Sequence, residues 1–249
     1  MPANVSHDVW DLLLKKYVND RGLVAYAEWK KSQPDLRALD SYLKEFAEKP
    51  QTLGIGNDAA ASLINLYNAT TIRWILANYP TDSIKGLKDS FAAKRHDVGG
   101  RKVSLDDVEN NALRPLLGYR THAVLVCAAR SCPPLQRFAY TPTQLDEQIE
   151  TAYRLSRSDL NRFLPEVKKI EISSIFNWFK DDFDNAGGVA KIIARYAPQQ
   201  YHDFLASGSF ETTYLSYNWG LNDQSEHGKE YSWITHLWDS ILNFIQVWK

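Results

Sequence analysis

The chain has 249 residues, and 29 lysines and arginines against 30 aspartates and glutamates leave a formal net charge of −1 at pH 7. That balance excludes a basic nucleic-acid binder, and 44% hydrophobic with 24% charged residues excludes a disordered or fibrous chain. Two cysteines, Cys127 and Cys132, are too few for the disulfide framework of a small secreted scaffold.

Met1 to Lys16 carries His7, Asp8, Asp11, Lys15 and Lys16 and has no apolar stretch of signal-peptide length. An exported mature chain and a cytoplasmic chain read alike here, so the compartment is left unassigned. The longest uncharged run, Ala59 to Ile72, is 14 residues, short of the roughly 20 that a spanning helix requires. No membrane span is expected.

In chain order, Val9, Trp10, Leu13, Leu14 and Tyr17 recur at helical spacing and predict a helix over 7–18, closed by Asn19-Asp20-Arg21-Gly22. Leu36, Leu39, Leu43 and Phe46 predict a second over 35–47. Apolar residues cover every side of 58–79, the mark of a buried central helix, and Pro80 ends it. Gly99-Gly100 reads as a hairpin turn. Ser104 with Asp107 three positions on reads as a capping box opening a helix. Ala123 to Cys127, short, apolar and branched, is expected to be an interior strand. A helix over 143–155, a strand over 167–172, helices over 175–179 and 189–196, a strand over 213–217 and a last helix over 232–247 complete the list. That last helix carries Trp233, Leu237, Ile241, Ile245 and Trp248 on one stripe. No repeat or linker divides the chain, which reads as one α+β domain, rich in helix.

The densest chemical signal is HAVLVCAARSCPPL, His122 to Leu135. Pro133 suits the first position of a helix, which would make Cys132 its N-cap. There the free amides favour a thiolate and can meet a developing oxyanion. Cys132 is equally readable as a small turn residue, and the C-x4-C spacing as a local disulfide or redox couple. Cys127 ends an apolar run and reads as a small buried hydrophobe. Glu109 supplies an independent clue. At 100° per residue it falls inside the apolar face made by Leu105, Val108, Ala112 and Leu116, where a carboxylate needs a partner. That partner is either an arginine (Arg114, Arg120 or Arg130), a backbone amide, or His122, whose tautomer the carboxylate would then set. Asn65 and Asn68 sit among apolar neighbours of the central helix and are candidates for core hydrogen bonds or for lining an active site. The segment from Ser174 to Phe183 reads as a packing corner with surface charges. Three soft ligands, His122, Cys127 and Cys132, lack the fourth that a structural zinc needs, and neither G-x-S-x-G, a Walker A loop nor H-E-x-x-H occurs. No metal and no cofactor are expected.

Six segments in order, VWDLLLKKYVNDRGLVAY, INLYNATTI, SLDDVENNALR, HAVLVCAARSCPPL, ISSIFNWFKDDF and YNWGLN, resemble the DUF547 family. The resemblance runs over nearly the whole chain, and its His-to-Cys stretch with SCPP is the most specific part. It implies a papain-like, cysteine-protease-type architecture with a Cys–His–Glu triad, carried here by Cys132, His122 and Glu109. Family members are often exported. Two positions depart from the family pattern: Ser62-Leu63 replaces an aromatic pair, and Tyr217-Asn218-Trp219 stands in place of Tyr-Asp-Trp.

The expectation is therefore a single papain-like domain over 1–249, with 1–50 a helical segment packed on it and a small, mostly antiparallel sheet. The expected function is a cysteine hydrolase, peptidase- or amidase-like, or an acyl transferase acting on a peptide, amide or other carbonyl substrate. Cys132 attacks, His122 moves the proton and Glu109 orients His122, with Asn65 and Asn68 as candidate oxyanion or substrate contacts. The alternative is an inactive binding or scaffold domain that keeps the fold.

Overall fold

A computed structural model describes residues 5–48, 56–154 and 160–225. Its architecture is α+β, with many helices and two small sheets. Three helices open it: α1 (Asp8–Tyr17), α2 (Tyr26–Lys31) and α3 (Gln33–Glu48). α1 turns Trp10, Leu13, Leu14 and Tyr17 inward at the spacing expected of one apolar stripe. Aromatic rings knit the three together, Tyr17 stacking on Trp29 at 4.5 Å and Trp10 on Tyr42 at 6.1 Å between centroids. α2 is too short to show a helical period and was not foreseen. At Gly22, φ is +75°, and a Cβ there would lie 2.6 Å from the backbone of Pro134 and Leu135. Only glycine lets the α1–α2 turn sit against the segment that follows Cys132.

The long helix α4 (Asn57–Asn78) is buried around most of its circumference, as its uninterrupted apolar sequence predicts. Beyond it, β1 (His96–Val98) and β2 (Arg101–Val103) form the hairpin expected at Gly99-Gly100. Ser104 caps α5 (Leu105–Val108) in a capping box with Asp107, both hydrogen bonds being present. The helix then departs from ideal. Glu109–Leu113 is a π-helical turn, and α6 (Arg114–Leu117) follows it. The extra residue of such a turn slips the helix phase by roughly 100°, which is why Leu116, assigned to the apolar face, is 47% exposed.

Two local expectations fail around the cysteines. Gly118–Ala123 is a 3-10 turn, and Val124 to Cys127 runs on without joining any sheet, so the interior strand is absent. Its buried backbone is hydrogen-bonded instead by a side chain: the Asn68 amide donates to Val124 O and accepts from Val126 N, both at 2.9 Å. An asparagine on α4 thus does the work of a neighbouring strand. No helix begins at Cys132 either. Pro133 holds Cys132 extended and Pro134 does the same to Pro133, so two consecutive residues are barred from helical backbone.

The second half contains α7 (Leu145–Ala152), β3 (Arg162–Leu164), β4 (Lys169–Ser173), α8 (Ile175–Trp178), α9 (Lys180–Asn185), α10 (Val189–Tyr196), α11 (His202–Ala206) and β5 (Glu211–Leu215). β3 pairs with β4 antiparallel, but β4 pairs with β5 in parallel, Lys169 opposite Glu211 through Ser173 opposite Leu215. The mostly antiparallel sheet expected from sequence therefore has a parallel pair as its longest contact, because α8 to α11 form the helical crossover that parallel strands need. Among the described residues no helix is long and apolar enough to cross a membrane. The expected helix over 232–247 lies outside the described residues.

Candidate functional site

Cys132, His122 and Glu109 all line one cavity of about 300 Å³. Around them stand Tyr67 from α4, Trp178 from α8, the adjoining Phe179, and Tyr217 and Trp219 from the segment after β5. A sequence reading confined to His122–Leu135 and the helix after Ser104 reached the centre of the cavity. It missed the contributions of α8 and of the last segment.

Cys132 is buried, at 3% exposure, and is joined to Cys127 in a disulfide with 6.4 Å between Cα atoms. Cys127 is thus the covalent partner of Cys132 and not the packing residue that its apolar run suggested. The turn between them makes this possible: Ala128 takes φ +60°, and Cys132 N–H donates to Ala129 O at 3.1 Å. Both sulfurs face donors. Cys127 N–H donates to Cys132 Sγ at 3.1 Å, and the Tyr217 hydroxyl donates to Cys132 Sγ at 3.1 Å while lying 3.4 Å from Cys127 Sγ.

His122 is held from a direction the sequence did not indicate. Its Nε2 lies 2.7 Å from Asp182 Oδ2, and its ring stacks on Phe179 with 3.9 Å between centroids. Asp182 in turn accepts from Arg114 Nε at 2.7 Å and Nη2 at 3.2 Å. Against the desolvation that burial imposes, Arg114 and then His122 hold the Asp182 carboxyl below its usual range. Burial outweighs the Asp182 contact for His122 and brings its pKa down to about 4. A neutral ring that donates from Nε2 to Asp182 leaves Nδ1 as an acceptor, and Nδ1 has no hydrogen-bond partner among the described residues.

Glu109 consequently does not serve His122. Its Oε2 accepts from the Tyr67 hydroxyl at 3.3 Å, and none of the three arginines considered as partners hydrogen-bonds it. Arg114 is committed to Asp182 and Asn110, Arg120 to Asp146, and Arg130 reaches the Asp223 carbonyl. Desolvation pushes the Glu109 carboxyl up to about 7, although Tyr67 draws it down. Between the ordinary value of 4.5 and about 7 the unfolded chain releases a proton that the folded chain keeps, so this group makes stability fall as pH rises through that window. Glu109→Gln is expected to gain about 3 kcal/mol of unfolding free energy at pH 8 and nothing at pH 4. Urea denaturation at the two pH values measures it, and an equal gain at both would contradict a desolvated carboxyl.

Asn65 and Asn68 do not line the cavity. Asn65 donates to Tyr140 O at 2.8 Å and accepts from Tyr140 N at 2.9 Å, and Asn68 is spent on Val124 and Val126. Both amides organise backbone. Asn218 accepts from Gly220 N at 2.8 Å and shapes the turn that carries Trp219.

A family model described as a protein of unknown function, DUF547, matches residues 51–155. The matched stretch holds Tyr67, Asn68, Glu109, His122 and both cysteines, and it ends before Asp182 and Tyr217. No curated protein and no solved structure matches the chain.

Proposed function

We propose that the protein is a cysteine hydrolase, peptidase- or amidase-like, or an acyl transferase, in a single papain-like domain spanning the chain. The observation that carries this is His122: its Nε2 is fixed by Asp182 and its unpartnered Nδ1 belongs to the ring that shares a cavity with Cys132. A base oriented by a carboxylate beside a sulfur is the arrangement nucleophilic catalysis requires. The papain-like assignment rests on the resemblance, supported by a helical body with small sheets; one continuous buried core running from Val5 to Leu221 supports the single domain.

The Cys127–Cys132 disulfide must first be reduced by an external dithiol, which becomes a disulfide itself and leaves both cysteines as thiols. Cys132 Sγ then attacks the substrate carbonyl while its proton passes to His122 Nδ1, and the same proton leaves with the departing amine or alcohol. Water, or an acceptor nucleophile, attacks the resulting thioester and frees Cys132. The Cys132 N–H is occupied by Ala129 O, so the Tyr217 hydroxyl, already 3.1 Å from Cys132 Sγ, is the donor nearest the developing oxyanion.

The test is alkylation of the reduced protein with limiting iodoacetamide at pH 7.5, read by intact mass and peptide mapping. Cys132 is expected to react about tenfold or more faster than Cys127, and His122→Ala to remove the difference. Cys132 is the more buried of the two sulfurs, so a faster reaction reports activation and not access. Equal, slow alkylation of both would leave a binding or scaffold domain.

A further inference from the structure

We propose that the substrate carries a cation, an amine or guanidinium group, which sits against Glu109 and the aromatic wall formed by Trp178, Tyr217 and Trp219. This rests on the reading of Cys132 as the nucleophile and names the substrate class of that site. Relieved of His122, Glu109 is a carboxyl facing the cavity with one hydrogen bond, from Tyr67. The cations nearby are engaged elsewhere. Arg114 spends Nε and Nη2 on Asp182 and Nη1 on Asn110, and Lys85 lies with Nζ 4.5 Å from the centroid of Trp219. Among the described groups lining the cavity, Asp106 and Glu109 are the two acids and Lys85 the one lysine.

The wall opposes water and favours a cation. Trp178, Tyr217 and Trp219 touch one another, with centroids 4.7, 4.7 and 5.9 Å apart, and Trp178 is 40% exposed. Ring faces attract positive charge, and Lys85 on Trp219 shows this wall already accommodating one. A buried carboxyl avoids its charge by keeping its proton, and a cation bound beside it draws that proton off and leaves the carboxylate as its partner. The volume of about 300 Å³ stands at the lower end for small-molecule sites, which suits a small molecule or one side chain of a peptide.

The experiment uses the reduced Cys127→Ser chain, which leaves Cys132 as its one thiol. Cys132 is titrated with three methanethiosulfonates, bearing trimethylammonioethyl, sulfonatoethyl and plain methyl groups, and each rate is divided by that reagent's rate with 2-mercaptoethanol. The cationic reagent is expected to exceed the anionic one by about tenfold or more, Glu109→Gln to bring the ratio to within about twofold, and Trp178→Leu, at an exposed position, to lower it about threefold. Thermal unfolding of each variant verifies the fold. A ratio near one, or a preference that survives both substitutions, overturns the proposal. Slow reaction with all three reagents overturns the nucleophile instead, and the charge ratio still reads out separately.

Discussion

Asn68→Leu is expected to destabilise the protein by about 4 kcal/mol. Leucine is close to asparagine in size, so the loss is not a cavity. It is the stranding of two backbone groups, Val124 C=O and Val126 N–H, which Asn68 now satisfies at 2.9 Å each. Leaving a buried polar group unpaired costs about 1–3 kcal/mol. These are interior: Val124 is 1% exposed and Val126 2%, so water cannot replace the lost partner without opening the core. Urea denaturation gives the number directly. A loss below about 1 kcal/mol would mean that the segment finds other partners and that Asn68 is not its support. The consequence reaches the site, because His122 precedes this segment and Cys127 ends it. The variant is therefore also expected to lose the difference in alkylation rate between the two cysteines.

Asp182→Asn is expected to lower the alkylation rate of reduced Cys132 about 100-fold at pH 7.5 while leaving the fold intact. The carboxylate accepts from His122 Nε2 and twice from Arg114. An amide keeps the shape but has only one acceptor oxygen. With that oxygen drawn to the guanidinium, its NH2 meets His122 and selects the tautomer whose proton is on Nδ1, the nitrogen meant to take the thiol proton. Arg114 is half-buried, with 29% of its side chain exposed, and tolerates the neutral partner. The readout that separates orientation from general damage is pH: the variant recovers its alkylation rate above the thiol pKa, where no base is needed. Full retention of rate at pH 7.5 would remove Asp182 from the site.

The long apolar run of α4 and the stripes of α1, α3 and α10 were legible because burial imposes a helical period. The capping box at Ser104 was legible because it is a local exchange of two hydrogen bonds. The Ala123–Cys127 strand was misread since a buried run needs backbone partners, and sequence does not reveal that a side chain 56 residues away supplies them. At the site, Cys132, His122 and Glu109 were each found by local chemistry and do face one cavity. That Glu109 meets Tyr67 and not His122 was not legible, because the π turn at Glu109–Leu113 interrupts the periodicity from which direction is inferred. Asp182 carried a usable signal that was passed over. It lies three residues after Phe179 and one before Phe183 on the inward side of its helix, the same misplaced-acid argument that singled out Glu109. Tyr217 was marked only by its place in the YNWGLN segment, which says nothing of a hydroxyl aimed at a sulfur.

The partners of the two reactive groups enter late in the chain: Asp182 is 60 residues beyond His122, and Tyr217 is 85 beyond Cys132. During synthesis, a chain that has grown only through the SCPP stretch holds a thiol and an imidazole but neither the carboxylate that aims the ring nor the hydroxyl that braces the sulfur. Because such contacts across long loops form only when the intervening chain has condensed, a fragment of that length lacks the arrangement proposed for the site. The proposed arrangement is complete only once the segment that carries Tyr217 has docked, so its assembly waits on the second half of the fold.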